Sequence, residues 1–184
     1  MAINKNIKER FQQMIIRKAV PDDAPRMLEL WKRLGEWLRE RGIDMWRPER
    51  FSLDEIQAFF KDGADLYLAE MDGSLAGTYV IMWSDPSIWG ESDSTAAGYI
   101  HRLAVDRRYR GRGIGSRLLR DAEDRIRQNG KTVARLDCMA DNERLNRYYR
   151  DHGYQFVRRV DAGSWSANLY EKRLACIDAI HLHD

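Results

Sequence analysis

The chain has 184 residues, 43% of them hydrophobic and 33% charged, a composition suited to one globular domain with a sizeable core. Its 31 basic and 29 acidic residues leave a formal net charge of +2, so no overall excess marks nucleic acid or a membrane surface as the partner. Two cysteines, Cys138 and Cys176, match no metal-ligand spacing and are too few for a disulfide framework; the start, MAINKNIKER, is charged where a signal peptide needs an apolar run. No apolar stretch approaches membrane length, and a reducing cytoplasm is the expected location, with no metal.

Residues 14–16 predict a first strand, ended by Pro21, with Asp22 or Asp23 as the N-cap of a helix. Met27, Leu30, Trp31, Leu34, Trp37 and Leu38 then recur at three- and four-residue spacing up to Gly42. Ser52 with Glu55 three residues on forms a capping box that opens a second helix, and Gly63 stops it. Leu66 and Leu68, then residues 78–83, read as two strands joined by a turn at Asp72-Gly73. A loop over residues 84–95 leads to a strand at Ala97–Val105. Ile114, Leu118, Ala122 and Ile126 mark a helix ending at Asn129-Gly130, whose exposed face is expected to carry Asp121, Glu123, Arg125 and Arg127. A strand at 133–140, a short helix at 142–152 closed by Gly153, and strands at 154–160 and Trp165–Arg173 complete the chain. The order is β-α-α-β-β-β-α-β-α-β-β, without an internal repeat. Residues 1–13 form an N-terminal extension, 14–174 the domain and 175–184 a tail.

The most informative stretch is Arg110-Gly111-Arg112-Gly113-Ile114-Gly115-Ser116, between a strand and the helix whose first turn it forms. Glycines let the backbone turn tightly and aim several N–H groups at one point, where the helix start adds partial positive charge. Arg107, Arg108, Arg110 and Arg112 surround that point with cations, which suits a pyrophosphate. A glycine turn with a solvated basic rim is the plainer alternative. Gly113-x-Gly115 with Asp137 further on also mimics a dinucleotide fingerprint. Against that, Leu118 occupies the third glycine's place, the loop from 106 to 112 is too long for the tight first turn, and too little chain follows for a doubly wound sheet.

These residues resemble the GCN5-related N-acetyltransferase (GNAT) family. Its coenzyme A signature, Arg/Gln-x-x-Gly-x-Gly/Ala, is matched by Arg110, Gly113 and Gly115 after the strand Leu103-Ala104-Val105; a second signature is matched by Asn142, Tyr149, Gly153 and Tyr154. The resemblance runs over residues 14–174 and implies an α/β fold (α+β, one mixed sheet) in which two central parallel strands, here Ala97–Val105 and 133–140, splay where acetyl-coenzyme A enters. It also implies direct acetyl transfer from acetyl-coenzyme A to an amine, with no acyl-enzyme.

An alkyl amine is almost fully protonated near neutral pH, so a base must take a proton. His101 is the first candidate, on the strand face shared with Leu103 and Val105, and a related amine acetyltransferase carries a working histidine at the matching position. A lone strand histidine is equally a hydrogen-bonded core or edge residue. Asp137 is the second, since some relatives place an acidic base five residues before the equivalent of Asn142; a carboxylate paired with an arginine is its structural alternative. By resemblance, backbone N–H groups of Leu103, Ala104 and Val105 serve the oxyanion and Tyr149 protonates the departing thiolate, with Tyr148 the packing aromatic. Asn142 binds the pantetheine arm or is an ordinary N-cap.

Trp31, Trp37, Trp46, Trp83 and Trp89 fall in segments that line the family's acceptor cleft, although tryptophans are more often core; Asp85, Glu91 and Asp93 are candidates to attract an ammonium. His181 and His183 lack further ligand candidates. Homodimers are common in families like this one, but no partner surface is marked. A non-catalytic acyl-coenzyme A sensing module of the same fold is the alternative function. A nucleic-acid binder would need stacking aromatics that the arginine-rich loop lacks.

Overall fold

The computed structural model describes residues 14–163 and 165–175. The proposed N-terminal extension, Cys176, His181, His183 and most of the tail lie outside them. The elements are β1 (Ile15–Lys18), α1 (Ala24–Arg39), α2 (Leu53–Lys61), β2 (Asp65–Met71), β3 (Ser74–Met82), a one-turn helix α3 (Pro86–Trp89), β4 (Ala97–Val105), α4 (Ile114–Gln128), β5 (Val133–Met139), α5 (Glu143–Asp151), β6 (Gln155–Ala162) and β7 (Trp165–Arg173). The seven strands are ordered β1-β2-β3-β4-β5-β7-β6. β4 and β5 run parallel, whereas β1–β2, β5–β7 and β6–β7 are antiparallel, which makes the sheet mixed. The β4–β5 ladder covers only Ala97–Ile100 against Val133–Leu136; both strands run on beyond it, as the expected splay requires. No helix among the described residues is long and apolar enough to cross a membrane.

The described chain gathers into two compact units, one of residues through Val80 with Arg102–Leu118, the other of Ile81–His101 with residues from Leu119 on. In the first, α1 buries the stripe Met27, Leu30, Trp31 and Leu34. Asp23 takes the N-cap position without capping the helix. Instead its carboxylate accepts the Val20 N–H at 2.9 Å and N–H groups of both terminal guanidinium nitrogens of Arg17 at 2.7 Å. Ser52 Oγ accepts the Glu55 N–H at 3.2 Å, so the expected cap of α2 forms, but the Glu55 side chain pairs with Arg102 rather than reaching back to close the box. Asp72 (φ 51°) and Gly73 (φ 74°) both take the left-handed conformation that a two-residue hairpin turn demands.

The second unit is built on Trp89, Ala97, Tyr99 and Leu169, with Met82, Ile88, Val133 and Val160 packed against them. Two sequence expectations are corrected here. The loop over 84–95 contains α3, whose Trp89 is fully buried edge-on to Tyr99 at 5.7 Å. Glu123 does not lie on an exposed face: it is 4% exposed and binds Lys172 Nζ at 2.8 Å, while Asp121 pairs with Arg125 and Asp124 with Arg127. Glu123 falls within the Leu119–Ala122–Ile126 stripe, so burying that stripe buries it too.

Candidate active site

In the first unit, β4 ends in the glycine loop. Asp106, 4% exposed, anchors its start: its backbone N–H donates to Ala76 O at 2.9 Å, and its carboxylate accepts the Arg108 N–H at 2.9 Å and the Arg33 and Arg108 guanidiniums at 2.7 and 2.9 Å. Burial raises its pKa, but the Arg108 contacts outweigh that and hold it below the ordinary carboxylate value. Gly111 and Gly113 have φ of 79° and 70°, and a Cβ at either would meet nothing within 4 Å. Glycine is therefore required there by backbone conformation rather than by crowding inside the protein. The first N–H groups of α4 point out of the helix start, where they have no intrahelical acceptor. Of the four arginines, Arg107 stacks on Trp37 with its guanidinium carbon 3.9 Å from the ring centre and Arg108 binds Asp106, whereas Arg110 and Arg112 are exposed at the glycines.

Just upstream, Arg102 has φ 50°, a left-handed residue inside a strand. Its carbonyl accepts the Thr78 hydroxyl at 3.1 Å, and Thr78 Oγ1 in turn accepts Trp31 Nε1 at 2.9 Å. Its guanidinium pairs with Glu55 and lies over Phe51, Trp31 and Trp46 at 5.0, 5.5 and 5.8 Å. These contacts hold the strained backbone immediately before Leu103, Ala104 and Val105. Trp31 is thus core, and Trp46 is half-buried against Arg102 and Phe51.

The second unit brings both candidate bases together. His101 Nε2 lies 3.0 Å from Asp85 Oδ2, and its Nδ1 lies 4.0 Å from Asp137 Oδ1. Asp85 is 1% exposed, so it faces the histidine instead of attracting a ligand from solvent. Burial pushes its pKa up, yet His101, the Ser87 hydroxyl and the Ile88 N–H outweigh that and keep it below the ordinary value, hence ionised. Asp93 is half-buried and is engaged within the turn: it accepts the Ser84 hydroxyl and the Asp85 N–H, the latter at 3.1 Å. Only Glu91 of the three acids is exposed.

Tyr149, on α5 in the same unit, is 6% exposed and more buried than Tyr148, so both rings pack: Tyr149 meets Tyr148, Tyr154 and Tyr170 at 5.4, 6.0 and 6.4 Å. Burial, with smaller contributions from Cys138, Tyr148 and Asp137, raises the Tyr149 pKa far above the ordinary phenol value. Asn142 caps α5, its Oδ1 accepting the Leu145 N–H at 3.1 Å. Asn146, a residue the sequence reading passed over, is the polar hub beneath them: its Nδ2 donates to the carbonyls of Met139, Ala140 and Asn142, and its Oδ1 accepts from Asn168 and Tyr170, each at 2.8 Å. An asparagine four residues inside a helix, where it is disfavoured without a partner, was the available signal. Cys138 is buried and its pKa is pushed up to about 12, first by burial and then by Asp137, which leaves it an inert thiol. Among the described residues no group of three or more His, Cys, Asp or Glu is placed to hold a metal ion.

A mixed seven-stranded sheet, a glycine loop opening a helix and a tyrosine on the last described helix fit a class of acyl-transferring enzymes, and the family model for the acetyltransferase (GNAT) family matches residues 31–154. The chain belongs to that family of N-acetyltransferases. Its relatives include an uncharacterized N-acetyltransferase, YesJ, of Bacillus subtilis (strain 168), 35% identical over 163 residues that cover 85% of this chain and 88% of the relative. A GNAT acetyltransferase structure from Listeria monocytogenes 4b F2365 is 28% identical, with a TM-score of 0.72 over 88% of this chain and 95% of that one. The structure of yncA from Salmonella typhimurium, with its cofactor acetyl-CoA, shares the fold at 18% identity, with a TM-score of 0.65 over 88% and 94% of the two chains.

Proposed function

We propose that the protein transfers the acetyl group of acetyl-coenzyme A directly to a primary amine, with His101 as base and Tyr149 as acid. The observation that carries this reading is the imidazole of His101 set between the carboxylates of Asp85 and Asp137. The thioester supplies an activated acyl donor. Arg110, Arg112 and the N–H groups at Gly113, Ile114, Gly115 and Ser116 have the charge and backbone direction to hold a diphosphate, supported by the positive φ of Gly111 and Gly113. N–H groups of Leu103, Ala104 and Val105, behind the kink at Arg102, are assigned to the carbonyl oxygen. His101 takes a proton from the acceptor ammonium, directly or through water to Asp137, and Tyr149 offers its phenol proton to the leaving sulfur. Asn142 keeps its N-cap role, with its amide Nδ2 assigned to the pantetheine arm.

The test measures thiol release with a panel of polyamines, amino acids, aminoglycosides and peptides, alongside calorimetric binding of acetyl-coenzyme A. Binding with amine-dependent thiol release and no acetylated protein by intact mass is expected. Tight binding without release across the panel overturns the reading in favour of an acyl-coenzyme A sensor. Gly113→Ala should weaken coenzyme binding on the order of tenfold or more, because an alanine held at φ near 70° costs about 1–2 kcal/mol and pulls the loop out of shape.

A further inference from the structure

Asp85 is fixed from every side. It is the N-cap residue of α3, with Oδ1 accepting the Ser87 hydroxyl at 2.7 Å and the Ile88 N–H at 3.4 Å, while its own N–H donates to Asp93 Oδ1 at 3.1 Å. Arg158 holds the far end of the turn through the carbonyls of Ile88 and Trp89, at 3.4 and 3.0 Å. Oδ2 is the oxygen left over, and it faces His101 Nε2. The two atoms are 3.0 Å apart in a bent approach, and among the described residues neither makes a regular hydrogen bond elsewhere. A ring nitrogen bearing a lone pair would be repelled by a buried carboxylate oxygen at that distance, so Nε2 must carry the proton.

We propose that Asp85 is a positioning residue that locks His101 in the Nε2–H tautomer, and that the Nδ1 lone pair so exposed receives, together with Asp137, an acceptor arriving as a primary ammonium. This rests on the reading of His101 as the base. Nδ1 and Asp137 Oδ1 are 4.0 Å apart, too far for a hydrogen bond to each other. A nitrogen about 2.8 Å from both subtends roughly 90° between them, within reach of two N–H bonds of one ammonium. Among the described residues, the charged groups paired with the ring are Asp85 and Asp137, and Asp93 stands behind Asp85. Two carboxylates therefore favour a cationic acceptor at this point. The ammonium loses two protons overall: one leaves through Nδ1 to solvent, and the other balances the proton that ends on the departing sulfur.

Nitrogen-15 NMR of the imidazoles in the whole protein tests the assignment, with His101 identified among the four histidines by the signal missing in His101→Gln. The neutral ring should be the Nε2–H tautomer. In Asp85→Asn the carboxamide can donate to Nε2, so the proton should move to Nδ1, and kcat/KM should fall about 100-fold or more while acetyl-coenzyme A affinity is kept. Asp137→Asn should leave the tautomer unchanged and raise KM for the amine on the order of tenfold, with a smaller change in kcat. An Nδ1–H tautomer in the unaltered protein overturns the proposal, and that spectrum needs no variant to fold. An unshifted tautomer in folded Asp85→Asn overturns it too. An Nε2–H spectrum from a protein that releases no thiol with any amine keeps the Asp85 assignment, while it overturns both the ammonium acceptor and the acetyl-transfer reading beneath it.

Discussion

Tyr149 holds its proton firmly, because burial makes its phenolate costly, and for the role proposed for it that sets the size of the catalytic effect. A thiol ionises near pH 8.5, so moving the proton fully from this phenol to a thiolate runs uphill, and in the proposed reaction its main service would be a hydrogen bond to developing charge on sulfur. Tyr149→Phe should therefore lower kcat by about 100-fold, the low end for general acid catalysis, with acetyl-coenzyme A affinity intact. Steady-state rates and calorimetry on the same sample check this, and unchanged turnover removes Tyr149 from the chemistry. At this scale the sequence was legible where a residue type is tied to a turn, as in Gly111 and Gly113, whose φ values of 79° and 70° only glycine adopts readily. It was not legible where a side chain's partner lies distant in the chain. Asp85 read as a lure for the ammonium, since nothing in its neighbourhood says that it folds onto His101, 16 residues on.

The elements were more legible, because period and punctuation encode them locally: the α1 stripe, the Ser52 cap and the Asp72-Gly73 turn all formed where expected. The misses share a cause. Charged neighbours made α4 look solvated around Glu123, and four residues are too few for α3 to show a period. How tightly α4 lies on β4 was not legible at all, and it turns on Gly98. A Cβ there would fall 2.6 Å from Ile126 Cγ1 and 3.0 Å from Cδ1, and Ile126 is fully buried with no room to withdraw. Gly98→Ala should destabilise the protein by about 1–3 kcal/mol through overpacking. Adding Ile126→Ala removes the clashing atoms, so the double variant should be more stable than the sum of the two single losses implies. Urea midpoints of the four proteins measure that coupling, and strict additivity would show that helix and strand do not press together at this point.

For the whole molecule, stability depends on carboxylates that the fold keeps ionised. Asp23 is lowered chiefly by hydrogen bonds from Arg17, against a smaller cost of burial. For Asp85, Asp93 and Asp106 burial raises the pKa, but hydrogen bonds from neighbours win, and Asp93 comes down to about 2. Each folded pKa thus lies below the unfolded value of about 3.9 for aspartate. Such a group gives its full stabilisation above the unfolded value and loses it as pH falls through the folded one, because the unfolded chain then binds protons that the native state refuses. The near balance of 31 basic and 29 acidic residues acts in the same direction, since protonating the acids leaves a strongly cationic chain that repels itself. The urea midpoint should therefore be nearly flat from pH 8 to pH 5 and fall steeply between about pH 4 and pH 2. Asp23→Asn should lower the midpoint at pH 7 and flatten the acid limb, because the amide has no proton to gain. A midpoint at pH 3 equal to that at pH 6 would mean that these aspartates ionise no more readily in the folded protein than in the unfolded chain.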